Sequence, residues 1–409
     1  MPRSKELSAQ LLLDYLVELG SALMSAGCPT HRLEELLVAL AGHEGHFADV
    51  FALPTGLFIS LRTPQGEASL LAMVRVTTWS NDLERLAELD ELMNAVADGK
   101  LDIPQARVRI REVQKKPPVW AAPWMLLAAI ASSAGAAVTF GGDLIDAALA
   151  GAGGLVLRLS MLRLSASSGV RVLENFIGGL VAALTAWFAS VVWPGHSREV
   201  LVLAIIIQLL PGLTLTVGLS ELTYRNLVAG TARVMHAGVT LLSLIFGIAV
   251  VVSFETSLGA QTTATIAREA APFAVQLLAL LFASFGFGVM MGLPPRRLFI
   301  AFMSGGLVFA ITALTRPLPT AHAVFLNALV LGIGGNLFAR VTSRPAQLFH
   351  MPGMLLLVPG ALSFRSLDTL LAGDAVVGIR GVADVILVAV ALVMGLLVAN
   401  VALPARKVL

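Results

Sequence analysis

Between residues 119 and 403 the chain returns ten times to an apolar run of about twenty residues, the length a helix needs to cross a bilayer core. The runs lie near 119–141, 144–162, 172–193, 200–220, 236–254, 272–293, 298–315, 322–341, 345–363 and 382–403. In hydrocarbon no water is present to bond the backbone, so runs of this length satisfy their own N–H and C=O groups as helices. A mainly α-helical membrane protein with ten transmembrane helices is therefore expected. Composition agrees: 57% of residues are hydrophobic and 13% charged, against about 25% charged in soluble domains. The run at 144–162 is the least regular, because Arg158 and Arg163 interrupt it; both can snorkel to the membrane edge.

Charge separates a different region. Residues 1–118 hold 28 of the 54 charged side chains. Apolar residues recur at helical spacing over 8–25, and "CPTHRLEELLVALAG" predicts a second helix with Thr30 as its N-cap. Three short strands are expected over 46–76, punctuated by Pro54-Thr55-Gly56 and Pro64-Gln65-Gly66. Two more helices follow, one closed by Gly99 and one opened by Pro104, and then the linker "KKPPVW". The expected organisation is a small cytoplasmic α+β domain at 1–116 and two membrane parts, 119–254 and 272–404.

Several function classes drop out. The single Cys28 excludes an intramolecular disulfide. The net charge of +2 comes from basic residues lying between apolar runs, so no nucleic-acid partner is implied. No GxxxxGK[ST] stretch is present, which removes the usual ATP site, and no cofactor is expected. His31, Glu34, His43, Glu44 and His46 form no HExxH pattern, so no metal is expected either. No nucleophile–base motif supports an enzyme; a membrane-anchored hydrolase is the alternative from that class.

The positive-inside rule orients the map. With the N-terminus cytoplasmic, sixteen basic residues fall at cytoplasmic ends and only Arg198, Arg268, Arg316, Arg365 and Arg380 at outer ends. Both termini are then cytoplasmic. The partners are the lipid bilayer, protons and a small solute; a homo-oligomer is compatible with the sequence, which fixes no assembly state.

Two apolar runs carry Pro-Gly in their middle, Pro211-Gly212 and Pro359-Gly360, separated by an offset of 148. At that offset Leu219, Leu222, Val228, Gly230, Val234, Leu244 and Gly247 fall on Leu367, Leu370, Val376, Gly378, Val382, Leu392 and Gly395. The coincidence indicates a duplication into halves of five spans. Five is odd, so the halves must cross in opposite directions, the inverted repeat of many secondary transporters. Proline removes a donor and clashes with the preceding turn, and freed carbonyls at membrane depth must line a cavity or find partners. The breaks are thus the expected binding region; a plain proline kink is the competing reading.

Gln208, Thr214, Thr216, Ser220, Ser363 and Ser366 flank the breaks with hydroxyls and an amide, groups that also serve as ordinary packing contacts between membrane helices. Asn327 and Asn336 are rarer inside a span. Arg340 and Arg365 could hold a carboxylate through paired bonds, or simply mark orientation. Glu174, opening the third span, could take up a coupling proton or pair with Arg171. Glu221 and Arg225, four apart, are expected to form an ion pair.

These residues sit in a recognisable setting. "CPTHRLEE" and "LPTGLFISL", with "GNLFARVTSRPAQLFHMPGMLLLVPGALSFRSL" and "LLVANVALP" near the C-terminus, resemble the threonine/serine exporter family over about 11–404. The resemblance implies a cytoplasmic N-terminal domain, ten transmembrane helices, and export of threonine and serine driven by the proton motive force. Related proteins divided into two chains are associated with C4-dicarboxylate (succinate) export; here the parts are fused.

Overall fold

Seven elements build the N-terminal unit: α1 (Ala9–Ser25), α2 (Thr30–His43), β1 (Phe47–Leu53), β2 (Gly56–Arg62), β3 (Leu70–Arg75), α3 (Leu83–Ala97) and α4 (Ile103–Lys115). The strands form an antiparallel sheet in the order β1-β2-β3, and the Leu53–Gly56 pairing leaves Pro54-Thr55 as a tight turn. Alternation along β2 buries Leu57, Ile59 and Leu61, which share a core with Leu12, Leu16 and Leu19 of α1. Asp82 caps α3 by accepting from the Arg85 N–H at 3.1 Å, and Asp102 caps α4 by accepting from Gln105 at 2.9 Å. Thr30 departs from expectation. Pro29 occupies the N-cap position of α2 with no side-chain cap, and Thr30 spends both its N–H and its hydroxyl on a membrane-part residue, Glu221.

The computed structural model describes residues 9–62, 69–77, 80–164, 173–257, 271–357, 360–371 and 375–404. The expected turn at Pro64-Gln65-Gly66 lies outside them, as do Arg171, Arg268 and Pro359. After the N-terminal unit come α5 (Ala122–Thr139), α6 (Leu144–Leu164), α7 (Glu174–Val192), α8 (Arg198–Ile206), α9 (Gly212–Thr223) and α10 (Leu227–Ser257). They are followed by α11 (Phe273–Met290), α12 (Leu298–Leu314), α13 (Thr320–Thr342), α14 (Gln347–Leu357), α15 (Gly360–Leu371) and α16 (Ala375–Ala402).

Among the described residues nine stretches are long and apolar enough to cross a membrane, one of them running through α14 and α15. The tenth expected span, 200–220, is instead two helices of 9 and 12 residues. The reason is local: the N–H groups of Leu209 and Leu210 both turn back onto the Ile206 carbonyl, Pro211 has none to offer, and the helix restarts at Gly212.

The series α5–α10 and α11–α16 share one order: three long helices, then α8 and α9 or α14 and α15, then one long helix; the residues between α14 and α15 lie outside the described ones. Their neighbours also correspond. α5 rests on α6 as α11 does on α12, α7 on α10 as α13 on α16, and α9 on α10 as α15 on α16. The two series meet along α5 and α11. There a Cβ on Gly135 would stand 2.6 Å from the Ala279 carbonyl, and one on Gly286 would stand 2.7 Å from that of Ala128. These are the same two positions, 151 residues apart, read in both directions, and they set α5 and α11 antiparallel. Within each series Gly247 lies on the Phe176 carbonyl, and Gly395 correspondingly on that of Phe325. Any side chain at these four positions would separate the helices.

The N-terminal unit sits across loops at one end of the helices. The Leu83 N–H donates to the Met291 carbonyl at 2.9 Å, and the Trp120 Nε1–H to that of Leu293 at 2.7 Å. Glu84 receives Arg296 and Arg297, and Glu91 receives Arg344 at 3.1 Å. Glu34 joins the Ala52 N–H of β1 to Asn226 Nδ2 of the α9–α10 loop, at 2.8 and 2.7 Å. At the opposite end Arg198 pairs with Glu255, and Arg365 with Glu199 at 2.7 Å.

Candidate functional site

The interruption at 207–211 meets the start of α15. A Cβ placed on Gly360 would stand 3.6 Å from the Gly212 Cα and 3.3 Å from the Leu210 Cβ. A seam of about 70 Å³ remains between them, walled by Thr139 of α5, by Phe140 just beyond it and by Phe287 of α11. Pro211 is buried, and its carbonyl accepts from the Leu215 N–H at 2.9 Å. Thr216 donates its hydroxyl to the Gly212 carbonyl at 3.1 Å, so the restarted helix has its first turn pinned. Gln208 lies in the interruption with Nε2 3.5 Å from Ser133 Oγ of α5. Apart from Thr139 the seam is apolar, which suits a moving joint better than a polar ligand.

The polar cavity lies nearer the N-terminal unit. A partly open cavity of about 180 Å³ lies between α2 on one side, where Glu35 is exposed at its mouth, and α9, α13, α14 and α16 on the other. Thr216 and Asn336 reach it, both about 1% exposed. Asn336 donates Nδ2 to Asn400 Oδ1 at 2.7 Å and to the Leu403 carbonyl at 2.9 Å, while its buried Oδ1 has no partner among the described residues. Arg32 and Glu35 of α2 line the other wall with His31, which stacks on Tyr224 at 4.2 Å between ring centroids. On the far side of α9 a second cavity, of about 260 Å³, takes Thr214 together with Cys28, Thr55, Arg233 and His236. Burial pushes the Cys28 thiol up to about 12, so it is inert as a nucleophile.

Glu221 stands between the two cavities and is fully buried. It receives the Thr30 N–H at 3.0 Å, the Thr30 hydroxyl at 2.8 Å and the Arg233 Nε–H at 3.0 Å. The expected Glu221–Arg225 pair is thereby corrected. α9 ends at Thr223 and Arg225 turns into the left-handed region at φ 66°, so its side chain leaves the face that an uninterrupted helix would have given it. Arg233, arriving on α10, takes the position.

The remaining candidates are dispersed. Glu174 is half-buried in the first turn of α7, within electrostatic reach of Arg158. Asn327 donates to the Ala323 carbonyl at 3.0 Å and accepts from Thr312 at 3.3 Å, joining α12 to α13. Arg340 donates to the Pro404 carbonyl at 2.8 Å. Arg365, besides its pairing with Glu199, lies over the Phe140 ring at 5.9 Å. Ser363 is buried in α15. The structure thus gathers Gln208, Pro211, Gly212 and Gly360 at the seam, and Thr216 and Asn336 at the polar cavity. Arg32, Glu35 and Asn400 join that cavity without any sequence signal; two charges three apart read as an ordinary solvated helix face.

One three-ligand cluster exists among the described residues: Asp143, Asp146 and His196, with ligand atoms within 4.8 Å of one another. Its carboxylates are already committed. Asp143 Oδ1 accepts from the N–H groups of Ile145 and Asp146, and Asp146 Oδ2 accepts from that of Asp143 at 3.0 Å, a reciprocal cap on α6. The His196 Nδ1–H donates to Asp146 Oδ1 at 2.8 Å, tying the α7–α8 loop to that cap.

Burial, with Arg32 and Arg233 nearby, lowers His31 from 6.5 to about 4. Above pH 6.5 the ring is neutral whether α2 is docked or free, and it adds nothing to the pH dependence. Below 6.5 the free ring takes a proton that the docked ring refuses until about pH 4. Docking therefore weakens through that window, by up to roughly 3 kcal/mol. Hydrogen exchange at the α2 amides, corrected for intrinsic rate, should rise between pH 7 and 5 in the wild type and stay flat in His31→Phe. A flat wild-type profile would contradict this.

Residues 14–255 match the family model described as "Putative threonine/serine exporter", and residues 276–402 the one described as "Threonine/Serine exporter, ThrE". The chain is similar to the "Probable threonine/serine exporter" of Mycobacterium tuberculosis, 24% identical over 90% of this chain and 72% of that one. It is also 24% identical to "Pheromone-regulated membrane protein 10" of Debaryomyces hansenii, over 88% of this chain and 36% of the relative. A match of 28% to "Uncharacterized protein C7D4.12c" of Schizosaccharomyces pombe covers 58% of this chain and 32% of the relative. The chain spans about a third of the length of these fungal relatives. No solved structure matches it.

Proposed function

This chain belongs to the threonine/serine exporter family, and from that premise we propose that it is a multi-pass secondary transporter of the cytoplasmic membrane, exporting L-threonine and L-serine by proton antiport. The approach of Gly360, the residue after the second Pro-Gly proline, to Gly212 at the first break carries the mechanism. Broken helices that face each other across the junction of two matching helix series are the joint about which such carriers alternate their access. The reading is of a carrier, with no catalytic residue.

The antiparallel contact of equivalent positions on α5 and α11 supports inverted halves. An axis exchanging two antiparallel helices runs across them, and for helices that span a bilayer it lies in the membrane plane. On this reading α8 and α9 together make one broken crossing, giving ten, and both termini lie on the cytoplasmic side with the N-terminal unit. Arg225, Arg233, Arg296, Arg297 and Arg344 lie at that end, which agrees with the positive-inside rule. Glu174, an acid inside a membrane helix, is assigned the coupling proton.

Efflux from preloaded proteoliposomes tests the reading. Labelled threonine and serine should leave, succinate should stay, and a protonophore should stop uphill movement. Efflux of succinate in place of threonine would replace the substrate assignment with a dicarboxylate. Uphill threonine efflux indifferent to the protonophore would remove the proton.

A further inference from the structure

Three features of the cavity beneath α2 point to a ligand rather than to packing. Its walls carry a cation and an anion from one helix, Arg32 and Glu35, three residues apart and so on neighbouring positions of one face. Neither forms an ion pair among the described residues, and Arg32 also lies within electrostatic reach of the buried Asp90. At the deep end the Asn336 Oδ1 is buried without a donor among the described residues, a state that costs free energy until a donor arrives. Thr216 and Ser220 add hydroxyl oxygens on the α9 wall.

We propose that this cavity is the cytoplasmic loading site for a zwitterionic α-amino acid: Arg32 holds the carboxylate, Glu35 the ammonium, and Asn336 Oδ1 accepts from the side-chain hydroxyl. The assignment rests on the threonine/serine reading above and gives it a place. The ligand's two main-chain charges are only two bonds apart, so a cation and an anion adjacent on one helix match them. A hydroxyl supplies the donor that Asn336 lacks. A C4-dicarboxylate offers two anions and no donor, and would bring its second carboxylate against Glu35 or the Asn336 oxygen. The N-terminal unit is on this account part of the binding site, because both charges come from α2. The cavity also abuts Thr216, whose hydroxyl pins the first turn beyond the Pro211 break, so occupancy is communicated directly to the joint.

The test uses the full chain in nanodiscs, with equilibrium binding of labelled L-threonine and competition by its methyl ester, by N-acetyl-L-threonine and by L-valine. Arg32→Gln should weaken threonine roughly 10- to 100-fold, the worth of a charged hydrogen bond, and leave the methyl ester unchanged. Glu35→Gln should weaken threonine similarly and leave N-acetyl-threonine unchanged. Valine, equal in shape without the hydroxyl, should compete poorly with wild type and no worse with Asn336→Leu. A variant that loses threonine and its blocked analogue equally has merely been damaged, and that result overturns the placement. Unaltered threonine affinity in both charge variants overturns it too, while leaving the exporter reading intact. Wild-type protein that binds succinate but neither threonine nor serine would overturn both.

Discussion

Gly212→Leu combined with Gly360→Leu is expected to abolish export while the protein still reaches the membrane. A Cβ alone at Gly360 would already touch the Gly212 backbone at 3.6 Å, and the seam beyond holds only about 70 Å³. Overpacking costs about 1–3 kcal/mol per site. Two such sites penalise the state in which the interruptions touch by roughly 2–6 kcal/mol and leave a state in which they part untouched. About 5.5 kcal/mol takes a two-state equilibrium from 1:99 to 99:1, so the carrier is held in one orientation. Pro211→Ala acts in the opposite sense: it restores a donor and favours a continuous helix by about 3 kcal/mol, slowing transport without harming folding. Vesicle efflux normalised to inserted protein measures both. Normal efflux from a well-inserted double variant would retire the joint, and losses that simply follow expression would reduce the breaks to kinks.

Glu221→Ala releases the N-terminal unit from α9. The carboxylate is fully buried and serves the Thr30 N–H, the Thr30 hydroxyl and Arg233 together. Removing one partner of a buried pair leaves the other charge stranded, at about 3–5 kcal/mol, a large fraction of the stability of most folds. Exchange protection at the α2 N-terminus should fall steeply, and the melting temperature with it. Glu221→Ala in an Arg233→Leu background should recover part of the loss, because no unpaired charge then remains. Equal protection in wild type and Glu221→Ala would show that the unit is held by its other contacts alone.

What the sequence allowed to be read divides along a physical line. Period and length are local, so the apolar runs, the three strands, the capped helices and the Pro211-Gly212 interruption were legible. Helix ends were not: α10 begins at Leu227 and α16 at Ala375, before the apolar runs expected at 236 and 382, because both continue past the hydrophobic stretch. The partner of Glu221 was misread for a similar reason. The i,i+4 rule presumes an uninterrupted helix, and α9 stops two residues before Arg225. The polar cavity could not be read at all. It is assembled from α2 and four membrane helices spread over hundreds of positions, and nothing local to Arg32, Glu35 or Asn400 marks them as neighbours of Asn336.

The N-terminal unit grips both helix series at once: Tyr224 and Asn226 in the first, and Met291, Arg297 and Arg344 in the second. Mechanically it is a bracket bolted across a hinge. Rotation of one series against the other must either carry the bracket along or shear one set of bolts, so its grip is a component of the free-energy difference between the two orientations. Linkage is reciprocal. Whatever tightens the bracket on one side biases which way the carrier faces, and whichever way the carrier faces sets how firmly the bracket is held.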